Sequence, residues 1–327
     1  MRRREFLALA VGAVAWPSMA SAQKLGSSVR RIGLLSGGGK PNGQALWKCF
    51  DDGLRDLGWS EGKNISTEYR WTDGSMERLP EMASELVRLK PDLIVTTSTP
   101  TTLAAKFATA EIPVVFISVS DPVGTGIVKS LARPDANLTG VSNFLPATTA
   151  KLLELVTAVA PSASRVAILF NPTNAGKLLE FDELRAAANI LKIAIEPLEV
   201  RSIGDLEQLL TRSLQSRCDA LITLVDGVTI SSRVKIAQFA AKERLIGIYQ
   251  VRVFADAGGL IAYGLDYCRH FRRATTYIDR ILKGARPSDL PVEQPTEFEL
   301  IINMKAAREL GLTIPPTLLA TAHEVIE

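Results

Sequence analysis

Polar side chains gather where predicted buried strands end. They are Ser36, Thr97, Ser98, Thr99, Ser120 and Asp121 in the first half of the chain, and Asn171, Thr173 and Asp226 in the second. Hydroxyls and backbone N–H groups at a helix amino terminus favour a carboxylate, because that end carries partial positive charge. A single carboxylate such as Asp226 suits an ammonium group. These positions predict a site for a zwitterion of amino-acid size, and ordinary helix N-caps are the alternative interpretation.

Two more residues are ligand candidates. Gly37 lies in the turn Ser36–Lys40, which superficially resembles a phosphate loop. The Walker spacing requires Gly at Leu34 and Ser or Thr at Pro41, so we interpret the segment as a flexible ligand-side turn. Tyr249 ends a predicted strand and is a candidate for stacking on a ligand, with core packing as the alternative.

The remaining reactive residues do not indicate catalysis. His270 and His323 have no neighbours at metal-ligand or nucleophile spacing, and GxSxG and HExxH motifs are absent. Cys49, Cys218 and Cys268 form no CxxC, so we expect buried thiols, while an oxidising compartment would allow one disulfide. We therefore expect a protein that is not an enzyme and that uses neither a metal nor another cofactor.

The elements that carry these residues read as alternating strands and helices. Asp92–Ser98 and Pro113–Ser118 are short, apolar runs rich in β-branched residues, and Thr101–Thr109 between them is a predicted helix. This pattern is typical of parallel strands that are covered on both faces. In such open α/β sheets, ligands bind at the carboxyl ends of the strands.

The strand pattern occurs twice. Arg31–Ser36, Lys63–Tyr69 and Asp92–Thr99 correspond to Arg165–Phe170, Lys192–Leu198 and Asp219–Asp226, at offsets of 134, 129 and 127 residues. We predict an α/β protein with two doubly wound, Rossmann-like lobes and a ligand cleft between them. The expected N-terminal lobe is 29–143 plus 264–286, and the C-terminal lobe is 144–263 plus 287–327. Hinge crossings are predicted near 143–149, Tyr263 and 287–295.

The amino terminus has the pattern of an export signal. Arg2-Arg3-Arg4 precedes an apolar run, and Ala20-Ser21-Ala22 predicts cleavage before Gln23. Arg3–Leu7 also resembles a twin-arginine signal. Without residues 1–22 the chain keeps 35 basic and 34 acidic side chains, a balance that disfavours nucleic acid as a partner. We expect a periplasmic protein.

Several runs in order resemble the ABC transporter substrate-binding family of the tryptophan/tyrosine transport type. They are Pro91–Pro100, Ile112–Phe116, Ser120–Val123, Asn137–Ser142, Gly259–Tyr267, Ile302–Ala307 and Leu310–Pro315. The sequence differs from the family in lacking a Gly near Cys268–His270. It also has Asp226-Gly227 where Asp-Asn or Asp-Ser is more usual.

The resemblance implies a type I periplasmic binding protein fold, no catalysis, and delivery of a small solute to a membrane permease and its ATPase. The Ser98-Thr99 turn, Ser120-Asp121 and Asp226 match positions of the family's ligand contacts. We expect a monomer that meets the membrane only through the permease. The alternatives are an extracytoplasmic sensor module with the same cleft and, without a nucleophile and base to support it, a secreted hydrolase.

Overall fold

The computed structural model describes residues 29–38, 44–73, 75–134, 136–143 and 146–327. The predicted export signal at 1–22 lies outside these ranges, as do Gly39 and Lys40 of the glycine-rich turn and two residues of the predicted crossing at 143–149. Within the described ranges, no helix combines the length and the apolar composition needed to cross a membrane.

The first lobe is built on a five-stranded parallel sheet with the order β2-β1-β3-β4-β5. Its strands are β1 Arg30–Ser36, β2 Ile65–Trp71, β3 Leu93–Thr96, β4 Val114–Val119 and β5 Leu138–Ser142. Its helices are α1 Gln44–Asp56, α2 Leu79–Arg88, α3 Thr99–Ala108 and, from much later in the chain, α10 Tyr267–Leu282. β3, β4 and β5 are buried along their whole length, as expected for strands covered by helices on both faces.

The second lobe is built on a seven-stranded sheet with the order β12-β11-β10-β9-β8-β6-β7, parallel except for the β10–β11 pair. Its strands are β6 Arg165–Phe170, β7 Ala194–Glu199, β8 Ala220–Thr223, β9 Ile246–Tyr249, β10 Ile261–Gly264, β11 Glu299–Asn303 and β12 Glu324–Ile326. Its helices are α4 Pro146–Val159, α5 Ala175–Leu191, α6 Leu206–Gln215, α7 Gly227–Ser231, α8 Arg233–Lys242, α9 Arg252–Asp256, α11 Met304–Leu310 and α12 Pro316–Thr321. Short 3₁₀ turns occur at Met76–Arg78, Ile203–Asp205 and Pro287–Asp289.

The predicted repeat is present in the topology. The order β2-β1-β3-β4 in the first sheet corresponds to β7-β6-β8-β9 in the second, so equivalent strands occupy equivalent places. In each sheet the first strand of the lobe lies between its second and third strands, which is the doubly wound arrangement. The prediction of two Rossmann-like lobes is confirmed.

Helix α10 returns the chain to the first lobe. Phe50 and Leu54 of α1 and Ala274 and Ile278 of α10 are buried in one apolar cluster with β1, β3 and β4. A disulfide between Cys49 and Cys268 joins the same two helices, with a Cα–Cα distance of 5.4 Å. The expectation of three thiols is wrong for this pair, because α1 and α10 pack side by side although the two cysteines lie 219 residues apart. Cys218 is a buried free thiol, as expected.

Residues 287–293 also lie against the first sheet. Val292 is buried with Ile94 and Phe116, and Glu293 bridges to Val141 at the end of β5. The sequence-based boundary assigned this segment to the C-terminal lobe, whereas it packs on the N-terminal one. It then leads to β11 in the other sheet.

Candidate ligand-binding site

A cavity of about 130 Å³ lies where the carboxyl ends of the two sheets face each other. Ser36, Thr97 and Ser118 line it from the first sheet, and Asn174 and Asp226 line it from the second. The α10 side chains of Tyr267 and Phe271 complete the wall.

Six of the nine residues predicted to bind a ligand line this one cavity. They are Ser36, Gly37, Ser98, Thr99, Ser120 and Asp226. They meet because each follows the carboxyl end of a parallel strand, and the two sheets present these ends to each other.

The other three predicted residues are placed elsewhere. Asp121 has φ +37°, and its Oδ1 accepts from Gly124 N at 2.8 Å, so it closes its own turn. Asn171 is buried behind Asp226, and its Nδ2 donates to Asp226 Oδ1 at 3.0 Å. Tyr249 is fully buried, stacks on Phe254 and lies in the core instead of in the cavity. Burial raises the pKa of the Tyr249 phenol, whose Oη has no hydrogen-bond partner among the described residues.

Asp226 is the N-cap of α7 and is held by neutral donors. Its Oδ1 accepts from Asn171 Nδ2 at 3.0 Å and from Val228 N at 3.2 Å, and its Oδ2 accepts from Asn174 Nδ2 at 2.8 Å. No ion pair to Asp226 occurs within the described ranges, although only 6% of the residue is exposed. A buried carboxylate without a counter-ion is a strong attractor for a cation that enters the cavity.

The amino terminus of α3 faces the cavity from the other lobe. Ser98 is its N-cap, and the hydroxyl of Thr101 accepts from the N–H groups of Thr97 and Ser98 at 3.2 and 3.0 Å. The N–H of Thr99 has no acceptor in the described part of the chain, and its Oγ1 accepts from Ser120 N at 3.1 Å. This free N–H at the positive end of a helix favours an anionic group.

The rest of the wall is mainly apolar. Its apolar members are Leu46, Trp47, Val225, Ile230, Val251, Val253, Tyr267 and Phe271. Trp47 packs edge-on against Phe271 and Trp71, at centroid distances of 5.3 and 5.1 Å, and is therefore fixed in place. The cavity thus combines a site for a cation, a site for an anion and room for an apolar group.

A buried ion pair, of which Lys177 lines the cavity, was missed from the sequence. Lys177 and Glu180 of α5 pair with each other, and each is only 3% exposed. Glu180 also accepts from Ser120 Oγ at 2.6 Å and from Gln250 Nε2 at 2.8 Å. The available signal was Asn174 after strand β6, because it is the N-cap that starts α5 at Ala175 and so places Lys177 and Glu180 in the first turns of that helix.

The two lobes touch across the cavity mouth. A Cβ atom at Gly176 would lie 2.6 Å from Ser120 Cβ, and one at Gly227 would lie 2.6 Å from Gly37 O. Both positions therefore require glycine in this arrangement. The unusual Gly after Asp226 has a physical reason, since a side chain there would push the lobes apart.

A second hollow of about 240 Å³ lies beside the crossing segments. Its charged groups largely pair with each other, as in Arg273–Glu293 and Arg269–Glu297. His270 lines it, and burial lowers the pKa of the imidazole to about 4. Across the described ranges, no group of three or more His, Cys, Asp or Glu could hold a metal ion.

Comparison with known proteins gives a family match along nearly the whole chain. The model of the family "ABC transporter substrate binding protein" matches residues 39–326. A tyrosine-binding protein from Clostridioides difficile strain R20291 is 29% identical over 265 residues, which cover 81% of this chain and 76% of that protein.

Two solved structures are similar to this chain. An ABC domain from Streptococcus pneumonia in complex with L-Trp has a TM-score of 0.85 at 27% identity, covering 91% of this chain and 100% of that one. The ligand-free, open structure of a substrate binding protein with adhesive properties from Clostridium difficile has a TM-score of 0.64 at 26% identity, covering 91% and 99%. The chain is similar in structure to both proteins, with the higher score for the L-Trp complex.

Proposed function

This chain belongs to the ABC transporter substrate binding protein family, and on that premise we propose that it binds an aromatic amino acid between its two lobes for import. Members of this family bind solutes and are not enzymes. We propose three things beyond family membership: the importer role, the cleft as the binding site and the class of ligand.

The observation that carries the proposal is the pairing of chemistries across one cavity. Asp226, a buried carboxylate that has no counter-ion among the described residues, faces the cavity from one lobe. The N–H of Thr99 at the start of α3, which has no acceptor among those residues, faces it from the other. An amino acid carries the two complementary charges on one carbon atom. We propose that its ammonium group pairs with Asp226 and that its carboxylate meets the α3 terminus.

The apolar wall supports an aromatic side chain on that ligand. Trp47, Tyr267 and Phe271 offer ring contacts, which stabilise an aromatic group beyond the burial of its surface. A tyrosine-binding relative and a similar structure that holds L-Trp support the same class.

We further propose that the protein works as a monomer outside the cytoplasm and delivers its ligand to a membrane permease driven by an ATPase. The leader-like segment Arg2–Ala22 supports export, by the general route or the twin-arginine route. No contact with nucleic acid is proposed, because the chain without this segment is close to neutral.

Calorimetry on the purified protein tests the function. We expect saturable binding of L-tryptophan or L-tyrosine, and a melting temperature that rises with ligand concentration because the ligand binds only the folded chain. Tryptamine and indole-3-propionate, which lack the carboxylate and the ammonium group respectively, should bind much more weakly. Glycine and sugars serve as controls that should not bind. If L-tryptophan and L-tyrosine are as inert as these controls, the proposal is contradicted.

A further inference from the structure

Ser118 is unusual among the residues that line the cavity. It has φ +61°, in the left-handed region that a non-glycine residue rarely adopts. It is also the extra residue of a β-bulge, since Ile117 pairs with Val141 and Val119 pairs with the next residue, Ser142. Bulges commonly redirect a side chain beside a functional site.

The hydroxyl of Ser118 is buried and has no hydrogen-bond partner in the described part of the chain. Among the described polar side chains around the cavity, Ser118 Oγ is the buried atom that forms no hydrogen bond. Its neighbours are satisfied: Ser36 Oγ accepts from Thr97 Oγ1 at 3.1 Å, and Ser120 Oγ donates to Glu180. An unpaired buried hydroxyl and a left-handed backbone are both unfavourable, so their coincidence at one cavity residue requires an explanation.

The sheet register indicates which end of a ligand Ser118 would meet. Thr96 of β3 pairs with Phe116 of β4, and Ser120 N donates to Thr99 Oγ1 at 3.1 Å, so the end of β4 that carries Ser118 lies against the start of α3. Ser98 is the N-cap of α3, whose first N–H is free. The hydroxyl and the helix terminus therefore belong to the same anionic subsite.

We propose that Ser118 is a specificity-determining residue whose hydroxyl donates a hydrogen bond to the carboxylate of the bound amino acid. This inference rests on the proposed function and assigns one of its contacts. The ligand supplies the acceptor that the protein lacks, and the bulge holds the hydroxyl beside the α3 terminus.

The test compares Ser118→Gly and Ser118→Ala with the parent by calorimetry, using L-tryptophan and L-tyrosine as probes. Both variants lose the hydroxyl, and a lost hydrogen bond to a charged group should weaken binding roughly 10- to 150-fold. Glycine also accepts positive φ without strain, so Ser118→Gly should melt at or above the temperature of the parent. Weaker binding by a protein of equal or higher stability separates a ligand contact from a structural role.

Ser232→Ala is the matched control, because Ser232 Oγ is also buried without a partner but lies away from the cavity. It should bind both probes as tightly as the parent. If the parent binds a probe and Ser118→Gly binds it within twofold of the parent, the assignment of Ser118 is overturned and the proposed function stands. If the parent binds neither probe, both proposals are overturned.

Discussion

Ser120 Oγ donates to Glu180 Oε1 at 2.6 Å and so connects the end of β4 in one lobe to α5 in the other. Both residues are buried, and the second carboxylate oxygen of Glu180 accepts from Gln250 Nε2 at 2.8 Å. Such a bond can exist only while the lobes are together. It therefore contributes directly to the balance between open and closed forms.

Removing this bond should weaken ligand binding. Ser120→Ala deletes a hydrogen bond to a charged group, which typically contributes about 1.5–3 kcal/mol. We expect the affinity for an identified ligand to fall roughly tenfold or more, because closure around the ligand loses this contribution. Calorimetry gives the affinity, and X-ray scattering with and without ligand gives the change in overall size.

Ser84→Ala is the control for that variant, since Ser84 Oγ donates to Pro80 O in a solvent-exposed hydrogen bond within helix α2 of one lobe. Its affinity should equal that of the parent. Unchanged affinity in Ser120→Ala, together with identical scattering profiles with and without saturating ligand, would contradict a closing hinge.

Asp226 should be the most sensitive position in the cavity. Replacing it with Ala leaves the ammonium group of the ligand buried without its counter-charge, which should cost about 2–5 kcal/mol of binding free energy. Calorimetry measures the loss, and circular dichroism checks that the variant is folded.

Asp121→Asn is the control because Asp121 also follows a strand but caps its own turn outside the cavity. A folded Asp226→Ala that binds as tightly as the parent would remove the amine-site assignment.

Part of this site was predictable because its residues follow from local patterns. Ser98, Thr99 and Asp226 come directly after short apolar runs, and the parallel topology brings the ends of such runs together. In the same way, the repeated strand pattern predicted a second lobe. Both predictions need only the order of elements along the chain.

Features that depend on packing between distant segments were not predictable. The disulfide requires α1 and α10 to lie side by side, and no local pattern connects them. Tyr249 ends its strand like the true lining residues, yet its ring stacks on Phe254 inside the lobe. Lys177 and Glu180 have the i, i+3 spacing typical of an exposed helix pair, yet both are buried, and Glu180 accepts from Ser120 of the other lobe.

His270 should make the fold sensitive to acid. Burial lowers its pKa to about 4, from an ordinary value of 6.5, because the charged imidazolium is poorly solvated there. The unfolded chain then binds the proton more tightly, so stability is fully present above pH 6.5 and falls as the pH drops toward 4. The loss should reach about 3 kcal/mol.

Urea unfolding at several pH values measures this loss. His270→Asn should show a smaller fall in unfolding free energy between pH 6.5 and 4 than the parent, because carboxylates that titrate in both proteins cancel in the comparison. Equal pH dependence in the two proteins would contradict a buried, neutral His270.

The Cys49–Cys268 disulfide should stabilise the first lobe by anchoring α10, which enters that lobe from a crossing segment, to α1. A native disulfide commonly contributes about 2–4 kcal/mol, in part by restricting the unfolded chain. The double variant Cys49→Ala/Cys268→Ala should therefore melt at a lower temperature than the oxidised parent, and dithiothreitol should lower the melting temperature of the parent but not that of the double variant. Cys218→Ala is the control, because it keeps the disulfide and should remain sensitive to reduction. A parent whose melting temperature does not respond to dithiothreitol, although mass spectrometry shows both thiols free, would contradict this stabilising role.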